Sequence, residues 1–200
     1  VGEWLNNMAR YGLCRLRGIG TDLDALEALM AYVGPIRGSN FGNVFTVEAN
    51  ITPDSTANTG LELNSHTDLP TRETPPGFQF LHCVRNEVSG GWSYMADGLA
   101  VIGHLQREFP DDYASLTTHN WVWFNRQLGE DHRWVGPVID HGADQSPVTI
   151  RAFYPVRSFP AMDPSEMPAA YRALQRFHQI ADDPAFRLAF PFEPGDVIGF

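Results

Sequence analysis

Asn64-Ser65-His66-Thr67-Asp68-Leu69-Pro70-Thr71-Arg72-Glu73 carries an imidazole and a carboxylate two residues apart. On an extended strand that spacing puts both side chains on one face, with tips close enough to grip one ion. A histidine and a carboxylate are two of the three ligands in the 2-His-1-carboxylate arrangement of non-haem Fe(II) sites, which leaves one face of the metal open. The same two residues also describe a polar strand end whose side chains satisfy each other. A short motif of this kind is therefore weighed by its context.

The context is Pro75-Pro76-Gly77, then Phe78-Gln79-Phe80-Leu81-His82-Cys83-Val84, then Ser89-Gly90-Gly91-Trp92-Ser93 and Asp97-Gly98. A metal-binding H-T-D, a P-P-G turn, a strand ending L-H-C, a G-G-x-S turn and a D-G helix start follow one another closely. In that order they resemble the gamma-butyrobetaine hydroxylase branch of the taurine dioxygenase (TauD/TfdA) family, whose members use Fe(II) and 2-oxoglutarate. Weaker similarity runs from the segment between Gly12 and Gly18 to Pro194-Gly195-Asp196.

The resemblance implies His66 and Asp68 as metal ligands at the catalytic centre, and Leu81 as a contact of the cosubstrate. It implies hydroxylation of an aliphatic C–H in a small zwitterionic or betaine-like substrate, with release of succinate and CO2. Relatives surround a quaternary ammonium with aromatic rings, whose electron-rich faces attract the cation. Phe41 and Phe45 match two of those positions. Ser55 stands where the family has an asparagine on the substrate carboxylate, Asn58 where it has a cage tyrosine, and Leu69 where the animal enzymes have another. In the family, P-G-D-V-I-x-F leads to the second metal histidine and then to an arginine for the distal carboxylate of 2-oxoglutarate. Here Pro194-Gly195-Asp196-Val197-Ile198-Gly199-Phe200 is the last segment. The expectation is one catalytic domain over residues 1–200, lacking its C-terminal end, with the third ligand and the arginine beyond Phe200.

Composition agrees with one domain: 200 residues, 43% hydrophobic and 19% charged, enough to bury well over half of the unfolded surface. A net charge of −10 argues against a nucleic-acid backbone or an anionic membrane as the main partner. With two cysteines, no C-x-x-C, no signal-peptide pattern and no apolar run near 18 residues, the expectation is a reduced, cytoplasmic protein. Analogy with relatives adds a homodimer.

Periodicity predicts helices over Gly2–Tyr11 (Trp4, Leu5, Met8 and Tyr11 on one face) and after Thr21 as N-cap, with Leu23, Leu26, Met30 and Val33 inward. A third runs over Gly98–Phe109 behind an Asp97 cap, with Leu99, Ile102, Leu105 and Phe109 inward and Pro110 as its stop. A fourth covers Ser165–Ala181. Strands are expected at Leu13–Ile19, Val44–Ala49, Phe78–Val84, 120–126, 133–140, 148–154, Phe186–Phe190 and Val197–Phe200. His82 reads as a core histidine or one supporting the ligands from behind, and His104 as a solvated or packing residue. Residues 50–65 form a polar loop of the kind that carries substrate contacts.

Many short strands with helices outside fit an α+β, mainly β, antiparallel barrel or jelly roll. The family resemblance implies the double-stranded β-helix. Two other classes stay open: a zinc-dependent hydrolase built on His66 and Asp68, and a non-catalytic small-molecule-binding barrel. The first needs further ligands and no H-E-x-x-H occurs; G-x-S-x-G is also absent.

Overall fold

The computed structural model describes residues 2–48, 63–87, 91–127, 130–141 and 147–200. They fall into two compact units, one made of Val1–Thr46, Gly77–Tyr94 and Ala189–Phe200, the other of Val47–Pro76 and Met95–Leu188.

In the first unit, α1 (Gly2–Tyr11), β1 (Cys14–Leu16), α2 (Leu23–Met30) and β2 (Phe80–His82) assemble around the last strand, β10 (Val197–Gly199). β10 lies between β1 and β2 in an antiparallel sheet, with Arg15 opposite Ile198 and Ile198 opposite Leu81. Apolar residues in the central strand explain its place: Val197 and Ile198 are fully buried, and Val197 packs with Trp4, Leu26, Leu29 and Met30. Gly199 is required by closeness. A Cβ there would sit 2.5 Å from Met8 Sδ and 2.8 Å from the Phe80 ring. The Pro194-Gly195-Asp196 turn is held by Asp196, which is buried, pairs with Arg15 and accepts the Glu193 amide at 2.8 Å.

The second unit holds α3 (Gly98–Glu108), α4 (Pro110–Thr118), β4 (Asn120–Gln127), β5 (Glu130–Gly136), β6 (Ile139–His141), β7 (Pro147–Ile150), a 3-10 turn (Tyr154–Val156), β8 (Arg157–Ala161) and α5 (Met167–Ala181). β4 runs between β5 and β8, with Trp123 opposite Trp134 and a register shift between Trp121 and Trp123 on the β8 side. β6 and β7 pair with each other. The core joins Val101, Ile102 and Leu105 of α3 to Trp121 and Trp123 of β4 and to Ala170, Ala173, Leu174 and Phe177 of α5. Asp112 of α4 is buried because Arg172 and Arg176 of α5 both pair with it, which compensates its lost hydration. β3 (Trp92–Ala96) and β9 (Arg187–Pro191) form a further two-stranded sheet.

The described strands thus make four antiparallel or two-stranded sheets of two or three strands each, and no closed barrel is formed among the described residues. No described helix is long and apolar enough to cross a membrane.

Several expectations are corrected. The cap of α2 is Asp22, not Thr21: its carboxylate accepts the Ala25 amide at 2.8 Å, and Leu23 is left half exposed. Tyr11 also faces solvent. Residues 44–48 form no strand. Asp97 caps α3 as expected, accepting from Leu99 and Ala100. The inward face, however, uses Val101 in place of Leu99, which is 61% exposed. Pro110 does not stop the chain's helical run but opens α4, where a proline at the first position costs no hydrogen bond. The strand expected at 148–154 ends at Ile150, and Tyr154–Val156 turns as 3-10 helix.

Candidate metal centre

His66 and Asp68 lie in irregular chain, not on the strand their spacing suggested. Their tips nevertheless converge, with His66 Nε2 3.4 Å from Asp68 Oδ1. Two ligands about 2.1 Å from one ion at right angles stand about 3 Å apart, so this gap suits a shared metal. The His66 Nδ1–H donates to the Asn64 carbonyl at 2.7 Å. A carbonyl only accepts, so the bond assigns the proton to Nδ1 and turns Nε2 toward Asp68. Burial pulls the His66 pKa down, but the hydrogen bonds to Asp68 and Asn64 and the Asp68 charge outweigh it, and the net shift is upward. A metal ion between Nε2 and Oδ1 would have to displace the proton that this shift favours there. The imidazole is 25% and the carboxylate 38% exposed, so both are within reach of solvent.

Each part of this loop has a fixed partner. Asn64 and Ser65 both donate to the Asp182 carboxylate at the end of α5, at 2.8 and 3.1 Å. The His66 ring stacks on Phe153, centroids 4.5 Å apart. Thr67 and Ala152 exchange two hydrogen bonds, Thr67 N to Ala152 O at 3.1 Å and Ala152 N to Thr67 Oγ1 at 3.0 Å. Leu69 is the one described non-glycine residue with positive φ, at 52°, and it turns the chain directly after Asp68. The turn closes with Arg72 N on Leu69 O at 3.1 Å, over the buried Pro70 and Thr71. His178 of α5 lies in the same electrostatic neighbourhood; burial lowers its pKa, and this outweighs the upward pull of Asp182.

Among the described residues, no group of three or more His, Cys, Asp or Glu that could hold a metal ion is present. Of the other sequence-derived site residues, Phe41 and Phe45 meet ring to ring at 5.2 Å, tilted by 35°, with Phe45 half exposed. Leu81 is the middle residue of β2, opposite Ile198. Ser55 and Asn58 lie outside the described residues. Both ring nitrogens of His82 are buried without a hydrogen-bond partner among the described residues, and His104 packs against Phe109 and Phe186. Sequence reasoning missed Phe153, Ala152 and Asp182. They act on the loop from 85 to 118 residues away, where no local pattern points to them.

Gamma-butyrobetaine dioxygenase of Pseudomonas sp. (strain AK-1) is 37% identical over 195 residues, covering 98% of this chain and 51% of the relative. Trimethyllysine dioxygenase of Meyerozyma guilliermondii is 25% identical over 212 residues, covering 100% and 51%. The chain thus spans about half the length of these curated relatives. A crystal structure of asparagine oxygenase with Fe(II), 3-hydroxyasparagine and succinate superposes with a TM-score of 0.72 at 16% identity, covering 98% of this chain and 68% of that one. It shares the fold. The family model for taurine catabolism dioxygenase TauD, TfdA family, matches residues 1–200 from end to end, and the chain belongs to that family.

Proposed function

We propose that this chain is the catalytic domain, a double-stranded β-helix with flanking helices, of an Fe(II)- and 2-oxoglutarate-dependent dioxygenase. Its reaction hydroxylates an aliphatic C–H of a small zwitterionic or betaine-like substrate, with gamma-butyrobetaine as one candidate. The single observation that carries the reading is the His66 Nε2–Asp68 Oδ1 pair, 3.4 Å apart and oriented by Asn64.

When bound, the iron supplies the oxidation that turns 2-oxoglutarate, O2 and the substrate C–H into succinate, CO2 and C–OH. The residues of the chain supply geometry. Nε2 and Oδ1 would hold the metal from one side, Asn64 keeps the imidazole in the tautomer that can ligate, and Phe153 prevents the ring from turning. In the family pattern a second histidine and the arginine for the distal carboxylate follow the P-G-D-V-I-x-F motif, which here is residues 194–200. Phe41 and Phe45 are assigned to the ammonium end of the substrate and Leu81 to the cosubstrate. Ser55, Asn58 and Leu69 are assigned to the remainder of the substrate. Cys14 and Cys83 are both free thiols, and a reducing compartment such as the cytoplasm is part of the proposal.

The test uses the full-length protein with Fe(II), 2-oxoglutarate and O2, and follows oxygen uptake and succinate together. Coupled consumption that His66→Ala and Asp68→Ala both abolish is expected. Turnover without O2 would favour a zinc hydrolase, and ligand uptake without succinate a non-catalytic barrel. A cation on a ring face contributes about 0.5–2 kcal/mol, so Phe41→Ala should weaken binding of an amine substrate by about threefold to thirtyfold. A neutral tert-butyl isostere that binds as well as the trimethylammonium compound would reduce the two rings to apolar walls.

A further inference from the structure

We infer that Arg151 is a positioning residue for the metal-binding loop, fixing the separation of His66 and Asp68 through the carbonyls of residues 72 and 73. The inference rests on the reading of His66 and Asp68 as metal ligands.

Arg151 is 1% exposed. Burying a guanidinium is costly, and a well-packed apolar residue of similar size usually serves folding as well or better. Here one carboxylate compensates it, Asp140 Oδ2 at 3.0 Å from Nη1, and that carboxylate is itself 40% exposed. Nε has no partner among the described residues. The remaining donor, Nη2, reaches the Glu73 carbonyl at 2.9 Å and, more loosely, the Arg72 carbonyl at 3.5 Å. Those two carbonyls end the turn that begins directly after Asp68.

The neighbours of Arg151 grip the same loop further upstream. Ala152 brackets Thr67, between the two ligands, and Phe153 lies flat against the ring of His66. Three consecutive residues therefore hold the loop at the first of the pair, between the two and after them. Their own placement is firm: Arg151 N donates to Val138 O at 2.8 Å, and the guanidinium lies over the Trp134 ring at 5.5 Å. A strand would have set the spacing of an H-x-D through its own pleat. In irregular chain that task passes to the 151–153 template, and Arg151 is the part of it that acts through a side chain on backbone.

The experiment measures Co(II) binding alone, by titration calorimetry and visible absorption, in full-length wild type, Arg151→Gln, Arg151→Lys, Asp140→Asn and His66→Ala, with the melting temperature of each metal-free protein in parallel. Partners behind metal ligands typically change metal affinity by about 10–100-fold, and Arg151→Gln should weaken Co(II) within that range. Arg151→Lys should fall between, since an ammonium cannot reach the carboxylate and the carbonyls in one planar fork. Asp140→Asn leaves the guanidinium in place but loosely held and should weaken Co(II) about threefold. A purely structural role would lower the melting temperature and leave the Co(II) affinity of the folded protein unchanged. Folded Arg151→Gln with Co(II) affinity within about twofold of wild type overturns the inference. If Arg151→Gln does not fold, unchanged affinity in Asp140→Asn overturns it. His66→Ala separates the two readings: if it binds Co(II) like wild type, the ligand assignment itself fails. If it loses Co(II) while the Arg151 variants keep it, only the positioning role fails.

Discussion

Replacing Thr67 by valine removes one oxygen from the loop and keeps its shape. Thr67 Oγ1 is the acceptor for the Ala152 amide at 3.0 Å, and Ala152 is 2% exposed, so no water can take over the bond. A buried donor left without an acceptor costs about 1–3 kcal/mol. A domain of this size loses about 2–4 °C of melting temperature per kcal/mol, which predicts a drop of about 2–12 °C for Thr67→Val. Thr67→Ser is the control. It keeps the acceptor and gives up one half-buried methyl, worth less than about 0.8 kcal/mol. Metal-free full-length protein is heated while tryptophan fluorescence is followed, because ion binding would add its own stabilisation. The reasoning fails if Thr67→Val melts within about 1 °C of Thr67→Ser, since the hydroxyl would then contribute nothing that its shape does not.

Leu69 sits in the left-handed region at φ 52°, which disfavours a β-branched residue more than leucine and glycine least. Leu69→Ile should therefore lose stability in urea unfolding, by less than the about 1–2 kcal/mol that the conformation costs any L-residue and that leucine already bears, whereas Leu69→Gly should lie nearer wild type; equal stability of the isoleucine variant and wild type would count against strain at this turn. Burial raises the Asp182 pKa, but the donors Asn64 and Ser65 and the Arg187 charge outweigh it, and the carboxyl titrates below its usual range. A depressed carboxylate stabilises the fold above its unfolded pKa of about 3.9 and loses that contribution as pH falls through the lower folded value. Asp182→Asn should accordingly flatten the acid limb of the stability curve below about pH 4, and parallel acid limbs in the two proteins would show that the contact is not coupled to protonation.

The readings that survived folding are those in which cause and effect lie within a few residues. α1 and α5 follow from apolar residues three and four apart, and α3 begins where the Asp97 carboxylate can reach two amides in the next turn. The order of H-T-D, P-P-G, L-H-C and G-G-x-S was legible because the family's motif is written consecutively. Local reasoning erred where two local outcomes compete. Pro110 both ends one helix and can open another, and Leu99 and Val101 lie on opposite faces of α3 with similar apolar weight. Burial against β4 and α5 selected Val101.

The spacing of His66 and Asp68 named two candidate ligands but attributed their convergence to a strand that does not form. What brings their tips to 3.4 Å is a set of partners distant in sequence: Asp182 on Asn64 and Ser65, Phe153 on the imidazole, Ala152 on Thr67, and Arg151 on the carbonyls of Arg72 and Glu73. The sequence by itself determined the chemistry of the candidate ligands, because donor atoms belong to residue types. Their geometry belongs to the tertiary structure, because a loop without its own hydrogen-bond ladder takes its shape from whatever buried groups it must satisfy.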